Sequence, residues 1–366
     1  MPYPSSIQEE KGVGAAAPGA AAVSGTPAEK EARRVALRPP PVPASFFGIV
    51  LGLAGLANAW RAASQVWNLP ALFGEALFVL AAAVWVVLVV LFALKWIAAR
   101  KEAMLEARHP IQCCFIGLAG VATMLVANGI VPYWAGLATL LYVAGAAFTI
   151  GFGLWRTGSL WQGDRDPAST TPVLYLPTVA GGFVMAAGAA SLGHADVGQI
   201  AFGAGFFSWL AIESVLLHRL YTSPAMAAAL RPTLGIQMAP PSVGAAAYVS
   251  VNGGVPDMLA HAMIGYGILQ ALMLLRLLPW IRQQPFAASY WAFTFGATAL
   301  ATAPLRLIAH GDPGAISMLA PVLFVGANAV VGLVALGTLR LLAQGRLLPP
   351  TAAPAKQAAE ASTAAS

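Results

Sequence analysis

Between Phe46 and Leu348 the chain alternates apolar runs of about twenty residues with short polar breaks, each run long enough to cross about 30 Å of hydrocarbon at 1.5 Å per residue. A backbone in lipid must satisfy its own hydrogen bonds, and runs of this length do so as α-helices. Ten runs are read, at 46–64, 73–97, 111–130, 132–154, 174–192, 196–218, 233–251, 257–279, 289–309 and 315–342. Only 9% of residues are charged, 58% are hydrophobic and the mean hydropathy is +0.73, which excludes a water-soluble globule. The formal charge of +6 forms no continuous basic face, so no nucleic-acid partner is expected. The flanking segments 1–43 and 349–366, dominated by small residues and proline, read as disordered cytoplasmic tails around a membrane domain at 44–348.

Charge placement tests the count independently. With ten spans and the amino terminus inside, every Lys and Arg except Arg61 and Arg306 falls on the inner side. Adding or losing one span would spoil that asymmetry. Both termini are therefore expected in the cytoplasm, and the very short outer turns at 127–132, 193–196 and 251–257 join the spans as five helical hairpins.

Pro177 in the fifth run and Pro240 with Pro241 in the seventh each remove a backbone donor and clash with the preceding turn. In a bilayer the groups freed by such a kink are tolerated where protein or a water-filled cavity satisfies them, so kinked spans are candidate pore liners. A bend that merely improves packing is the other reading. The kinks fall in odd-numbered spans, as a ring of inner helices requires. Arg61 and Arg306 also end odd-numbered spans. They either stand at the outer mouth of a pore, attracting anions, or snorkel to the headgroups. Glu213 sits about one turn from the inner end of the sixth span, near His218 and Arg219. A local partner there is one reading and a proton or cation coupling site the other, the second requiring it to face a pore from an even-numbered helix.

No cofactor, metal or catalytic chemistry is expected. Cys113 and Cys114 are adjacent in an apolar run, the five histidines lie near span ends, and neither a phosphate-binding loop nor an HExxH zinc motif occurs.

Several ordered blocks carry a specific resemblance. They are Phe46 to Arg61 (FFGIVLGLAGLANAWR), Arg108-His-Pro110, Leu174-Tyr-Leu-Pro177, Phe202 to Leu210 (FGAGFFSWL), Leu234-Gly-Ile-Gln-Met-Ala-Pro240, Ser250-Val-Asn-Gly-Gly254, Gly265-Tyr-Gly-Ile-Leu-Gln270, Leu275 to Trp280 (LRLLPW) and Tyr290-Trp-Ala-Phe-Thr-Phe295-Gly. Together they resemble the slow anion channel and malic acid transporter family, in its bacterial branch of tellurite-resistance and dicarboxylate transporters. The resemblance covers about 45–348.

It implies an all-α membrane protein of ten helices in five quasi-repeated hairpins, the odd-numbered ones around a central pore, assembled as a homotrimer with one pore per subunit. It also implies that a phenylalanine in the ninth helix plugs the pore. The Trp-Ala-Phe-x-Phe-Gly block maps that ring to Phe295, with Phe293 the neighbour most easily confused with it; on residue chemistry alone Phe295 reads as packing. One departure is Glu213-Ser214, where relatives usually show Glu-Pro. The expected function is a bacterial inner-membrane anion channel or uniporter passing small inorganic anions, with tellurite and C4-dicarboxylates as further candidates. The alternative is a proton-coupled dicarboxylate or toxic-compound exporter, with Glu213 as its only serious coupling group.

Overall fold

The structure, a computed structural model, describes residues 42–163, 166–312 and 314–348, and among them every regular element is helical. The expected tails at 1–43 and 349–366 lie outside the described residues, apart from residues 42 and 43. Eleven α-helices follow one another. They are α1 (Phe47–Trp67), α2 (Ala71–Ala98), α3 (Arg100–Arg108), α4 (Leu118–Ile130), α5 (Ala135–Trp161), α6 (Gly181–Ser191), α7 (Ala195–Thr222), α8 (Ala239–Val251), α9 (Met258–Ile281), α10 (Thr294–Ala309) and α11 (Ala315–Ala343).

Nine helical segments among the described residues are long and apolar enough to cross a membrane. The seventh expected span, 233–251, is the exception. Pro240 and Pro241 occupy the first turn of α8, where a missing N–H costs nothing, and α8 itself has 13 residues. At 1.5 Å per residue that is about 20 Å, short of the hydrocarbon thickness. The preceding eleven residues, Ala228–Met238, wind more tightly as a 3₁₀ helix, and the stretch from Pro232 to Met238 is wholly buried.

The same construction recurs. A 3₁₀ stretch precedes α1 (Ala44–Phe46), α4 (Gln112–Gly117), α6 (Pro172–Tyr175, then a π-turn over Leu176–Ala180), α8 and α10 (Ala288–Phe293). The expected proline kinks are thus junctions between winding types: Pro177 lies in the π-turn and Pro240 opens an α-helix.

Burial alternates along the chain. In the segments ending with α1, α4, α6 and α10, 67% to 72% of the most apolar stretch is buried, against 17% to 33% in α2, α5, α7, α9 and α11. Exposed leucine, valine and phenylalanine on the second group, such as Leu72, Val79, Ile200, Phe207 and Leu333, suit a lipid solvent. Each buried helix packs on the exposed helix that follows it. The buried helices also pack on one another in the order α1, α4, α6, α8, α10 and back to α1. Glycines set these approaches: a β-carbon on Gly296 of α10 would lie 2.9 Å from the Ala239 backbone nitrogen, and one on Gly182 of α6 would lie 2.8 Å from Gly205 Cα on α7. The short α3 carries Glu106, whose carboxylate pairs with buried Lys95 at 2.5 Å and accepts from the Ala44 amide at 2.8 Å, holding the start of the described chain against the end of α2.

Candidate pore and gate

Two cavities lie end to end inside the circle of buried helices. Both are walled only by residues of those five segments and their adjoining turns. The smaller, about 60 Å³, sits where 3₁₀ winding gives way to α-helix, beside Gly48, Leu118, Ala180, Ala239 and Ala292. The larger, about 520 Å³, follows the carboxyl-terminal halves of the same helices, beside Asn58, Asn128, Ala190, Ser250 and Arg306. Three side chains belong to both linings: Phe183, Val243 and Phe295. These apolar groups are the partition between the two cavities.

The partition has a fixed and a freer part. Phe183 has no exposed surface, lies against the rings of Phe202 and Trp209 at 5.6 and 6.5 Å, and backs onto Gly244, where a β-carbon would come within 3.0 Å of its ring. Phe295 is only half-buried, and a β-carbon on Gly55 would stand 3.3 Å from its Cδ2. Its neighbour Phe293 lines neither cavity and instead stacks on Tyr290 at 6.1 Å. The sequence reading missed Phe183 and Val243, because a buried aromatic and a valine in an apolar run look like any core residue.

The electrostatics are one-sided. The small cavity lies beside the junctions where 3₁₀ or π winding passes into α4, α6, α8 and α10. Among the described residues no Asp or Glu lines either cavity. Arg306, in the last turn of α10, lines the larger one, and its Nη1 donates to the Ala246 carbonyl at 3.1 Å and to Ser250 Oγ at 2.5 Å.

Other expected site residues are placed differently. Arg61 lines neither cavity; its Nε and Nη2 donate to both oxygens of Glu75 at 2.8 and 2.6 Å, and its guanidinium lies 4.0 Å from the Phe78 ring centre. Pro240 lines the small cavity. Pro177 does not, and its carbonyl faces Gly153 on α5.

Glu213 does not bond to His218 or Arg219. Its Oε2 accepts from the Tyr175 hydroxyl and from Trp209 Nε1 at 2.9 Å, and its Oε1 accepts from Gln237 Nε2 at 2.9 Å and the Tyr266 hydroxyl at 2.6 Å. It is buried and lines neither cavity.

Described residues that are all helical where regular, with nine segments of membrane length around two cavities that no described Asp or Glu lines, have the architecture of a membrane channel or transporter. The family model described as SLAC1, voltage-dependent anion channel, matches residues 41–339, and the chain belongs to that family. It is 36% identical over 311 residues to the tellurite resistance protein TehA homolog of Haemophilus influenzae, covering 84% of this chain and 93% of that one. It is 24% identical over 286 residues to the guard cell S-type anion channel SLAC1 of Arabidopsis thaliana (74% of this chain, 50% of that one), and 24% identical over 276 residues to the S-type anion channel SLAH3 of the same plant (72% and 42%). The chain is accordingly a multi-pass membrane protein of an anion channel and transporter family.

Proposed function

We propose that this protein is an inner-membrane anion channel or uniporter in which the Phe295 ring closes the path. The observation that carries the reading is that Phe295, the half-buried aromatic of the partition, lines both cavities at once. An aromatic ring across a narrow apolar passage blocks ions by excluding the water they would carry. Swinging it aside would join the small cavity to the large one without breaking a polar contact. Walls that carry Arg306 and, among the described residues, no carboxylate favour anions over cations.

In this reading ten helices, counting Ala228–Val251 as one span, form five hairpins with the buried members inside and both termini in the cytoplasm. The closed packing order of α1, α4, α6, α8 and α10 supports it. So does the short outer turn with positive φ at Gly253 and Gly254. Three subunits, each with its own pore, complete the assembly. Tellurite and C4-dicarboxylates belong among the anions to be tried, following the name of the Haemophilus relative and the family resemblance. Glu213, satisfied by four donors away from both cavities, offers nothing to a proton-coupled exporter.

The test is anion current through wild type and Phe295→Ala, with chloride and nitrate exchanged and the bath pH varied. The expected result is a near-silent wild type and a large, anion-selective, pH-independent current in the variant. Silence in both, with the protein intact, would overturn the reading.

A further inference from the structure

The two arginines expected at the outer mouth differ in one respect that matters for chemistry. Arg61 already holds a carboxylate, gripping Glu75 through the Nε and Nη2 edge of its guanidinium. Among the described residues Arg306 uses only Nη1, for the Ala246 carbonyl and Ser250 Oγ. Its Nε and Nη2 have no hydrogen-bond partner among the described residues, no carboxylate pairs with it, and neither nitrogen is among the enclosed side-chain atoms lacking a partner. The residue lines the 520 Å³ cavity, so the open edge faces that space.

Resting on the anion-channel reading, we propose that the Nε and Nη2 edge of Arg306 is a binding site for one planar oxyanion or carboxylate group on its way to the Phe295 partition. The pair between Arg61 and Glu75 is the internal precedent, since the same edge in the same protein binds two carboxylate oxygens side by side. A guanidinium edge matches two oxygens of a planar anion, which a spherical halide cannot supply. Nearby hydroxyls do not compete as donors: Thr302 gives its hydrogen to the Thr298 carbonyl at 2.8 Å, and Ser250 gives its own to the Ala246 carbonyl at 2.9 Å. The anchored Nη1 fixes the plane of the guanidinium. The cavity is large enough for a dicarboxylate, but the site engages one anionic group at a time.

The experiment separates geometry from charge. In the Phe295→Ala background, Arg306→Lys keeps the charge and loses the edge, whereas Arg306→Gln loses both. The expected result is a roughly tenfold fall in the nitrate-to-chloride and formate-to-chloride permeability ratios with lysine, and a general loss of anion current with glutamine. Ratios unchanged by lysine would reduce Arg306 to a point charge and overturn the proposal. A second readout does not depend on conduction. Nitrate at constant ionic strength should raise the thermal midpoint of the purified wild type more than chloride does, and this difference should vanish in Arg306→Lys. If Phe295→Ala is silent but the nitrate-specific shift is present and lysine-sensitive, the channel reading fails and the site stands. If no nitrate-specific shift appears, the site fails whatever the current.

Discussion

The ring of Phe293 rests on Gly235 so closely that a β-carbon on that glycine would lie 2.6 Å from Phe293 Cδ2 and 2.8 Å from the Phe293 backbone nitrogen. Two residues along a helix turn the side chain by roughly 200°, so a Phe293 packed on the stretch before α8 leaves Phe295 facing the cavities. Gly235→Ala cannot be absorbed by a side-chain shift alone, because a backbone atom stands in the way. It is expected to cost about 1–3 kcal/mol, read as a lower thermal midpoint of the purified protein.

Removing either aromatic from the partition separates gate from frame. Phe295→Ala is expected to open conduction at a modest cost in stability, since the ring is half-buried. Phe183→Ala is expected to destabilise by about 3–5 kcal/mol, because that ring has no exposed surface and is pinned by Phe202 and Trp209. Paired current and thermal unfolding measurements check both; equal stability losses would mean Phe295 belongs to the frame as well.

Glu213 is a bracket that ties the stretch before α6, the stretch before α8, and helices α7 and α9 to one carboxylate. All four of its partners donate. Glu213→Gln turns one amide hydrogen pair toward two donors, and Glu213→Ala leaves the buried Trp209 indole without an acceptor. Both are expected to destabilise, by about 3–5 kcal/mol for the alanine, while in the Phe295→Ala background the anion selectivity and its pH independence persist. Loss of pH-dependent flux in the glutamine variant would instead show that Glu213 exchanges protons during transport.

Arg61→Gln is expected to leave anion current in the Phe295→Ala background unchanged, because Glu75 already neutralises the cation and Arg61 lies off both linings. Stability should fall by about 1 kcal/mol at most, as befits a partly exposed pair. A drop in current comparable to that of Arg306→Gln would contradict this.

Asp257, just ahead of α9, caps that helix through the Ala260 amide at 3.0 Å and accepts from the Tyr248 hydroxyl at 2.5 Å. Partial desolvation pushes its carboxyl up, but the hydrogen bonds from Tyr248 and the backbone outweigh this and hold it below the usual aspartate value. A depressed acid stabilises the fold above its unfolded value, near pH 4, and that contribution is lost as pH falls through the folded value. Asp257→Ala should therefore cost about 1 kcal/mol at neutral pH, with the gap to wild type closing below about pH 4 in thermal unfolding series.

Much of the fold is written in run length, because lipid imposes a 30 Å rule that few sequences satisfy by accident. Segment 233–251 shows where that rule weakens: proline at a helix start and proline inside a helix look alike as sequence, and only the winding on either side tells them apart. The partners of Glu213 stand 38, 24 and 53 positions away in the cases of Tyr175, Gln237 and Tyr266, so no local pattern could have named them. His218 and Arg219 were the visible neighbours, and they are not its partners. Phe295 is legible only through resemblance, since its chemistry in a run of alanine and threonine is that of a packing residue. Arg61 and Arg306 look equivalent until the position of Glu75 is known.

Where buried helices touch their neighbours, this protein repeatedly uses glycine: Gly55 beside Phe295, Gly182 against Gly205, Gly235 beneath Phe293, Gly296 against Ala239. No amino acid is smaller. Sequence change at these positions can therefore run in one direction only, toward bulk, and each step must push a neighbouring backbone or side chain. The lipid-facing surfaces of the exposed helices carry no such ratchet: a β-carbon on Gly151, Gly203, Gly265 or Gly326 would meet nothing within 4 Å. The closest approaches between these helices are thus set by residues that mutation can enlarge but never shrink.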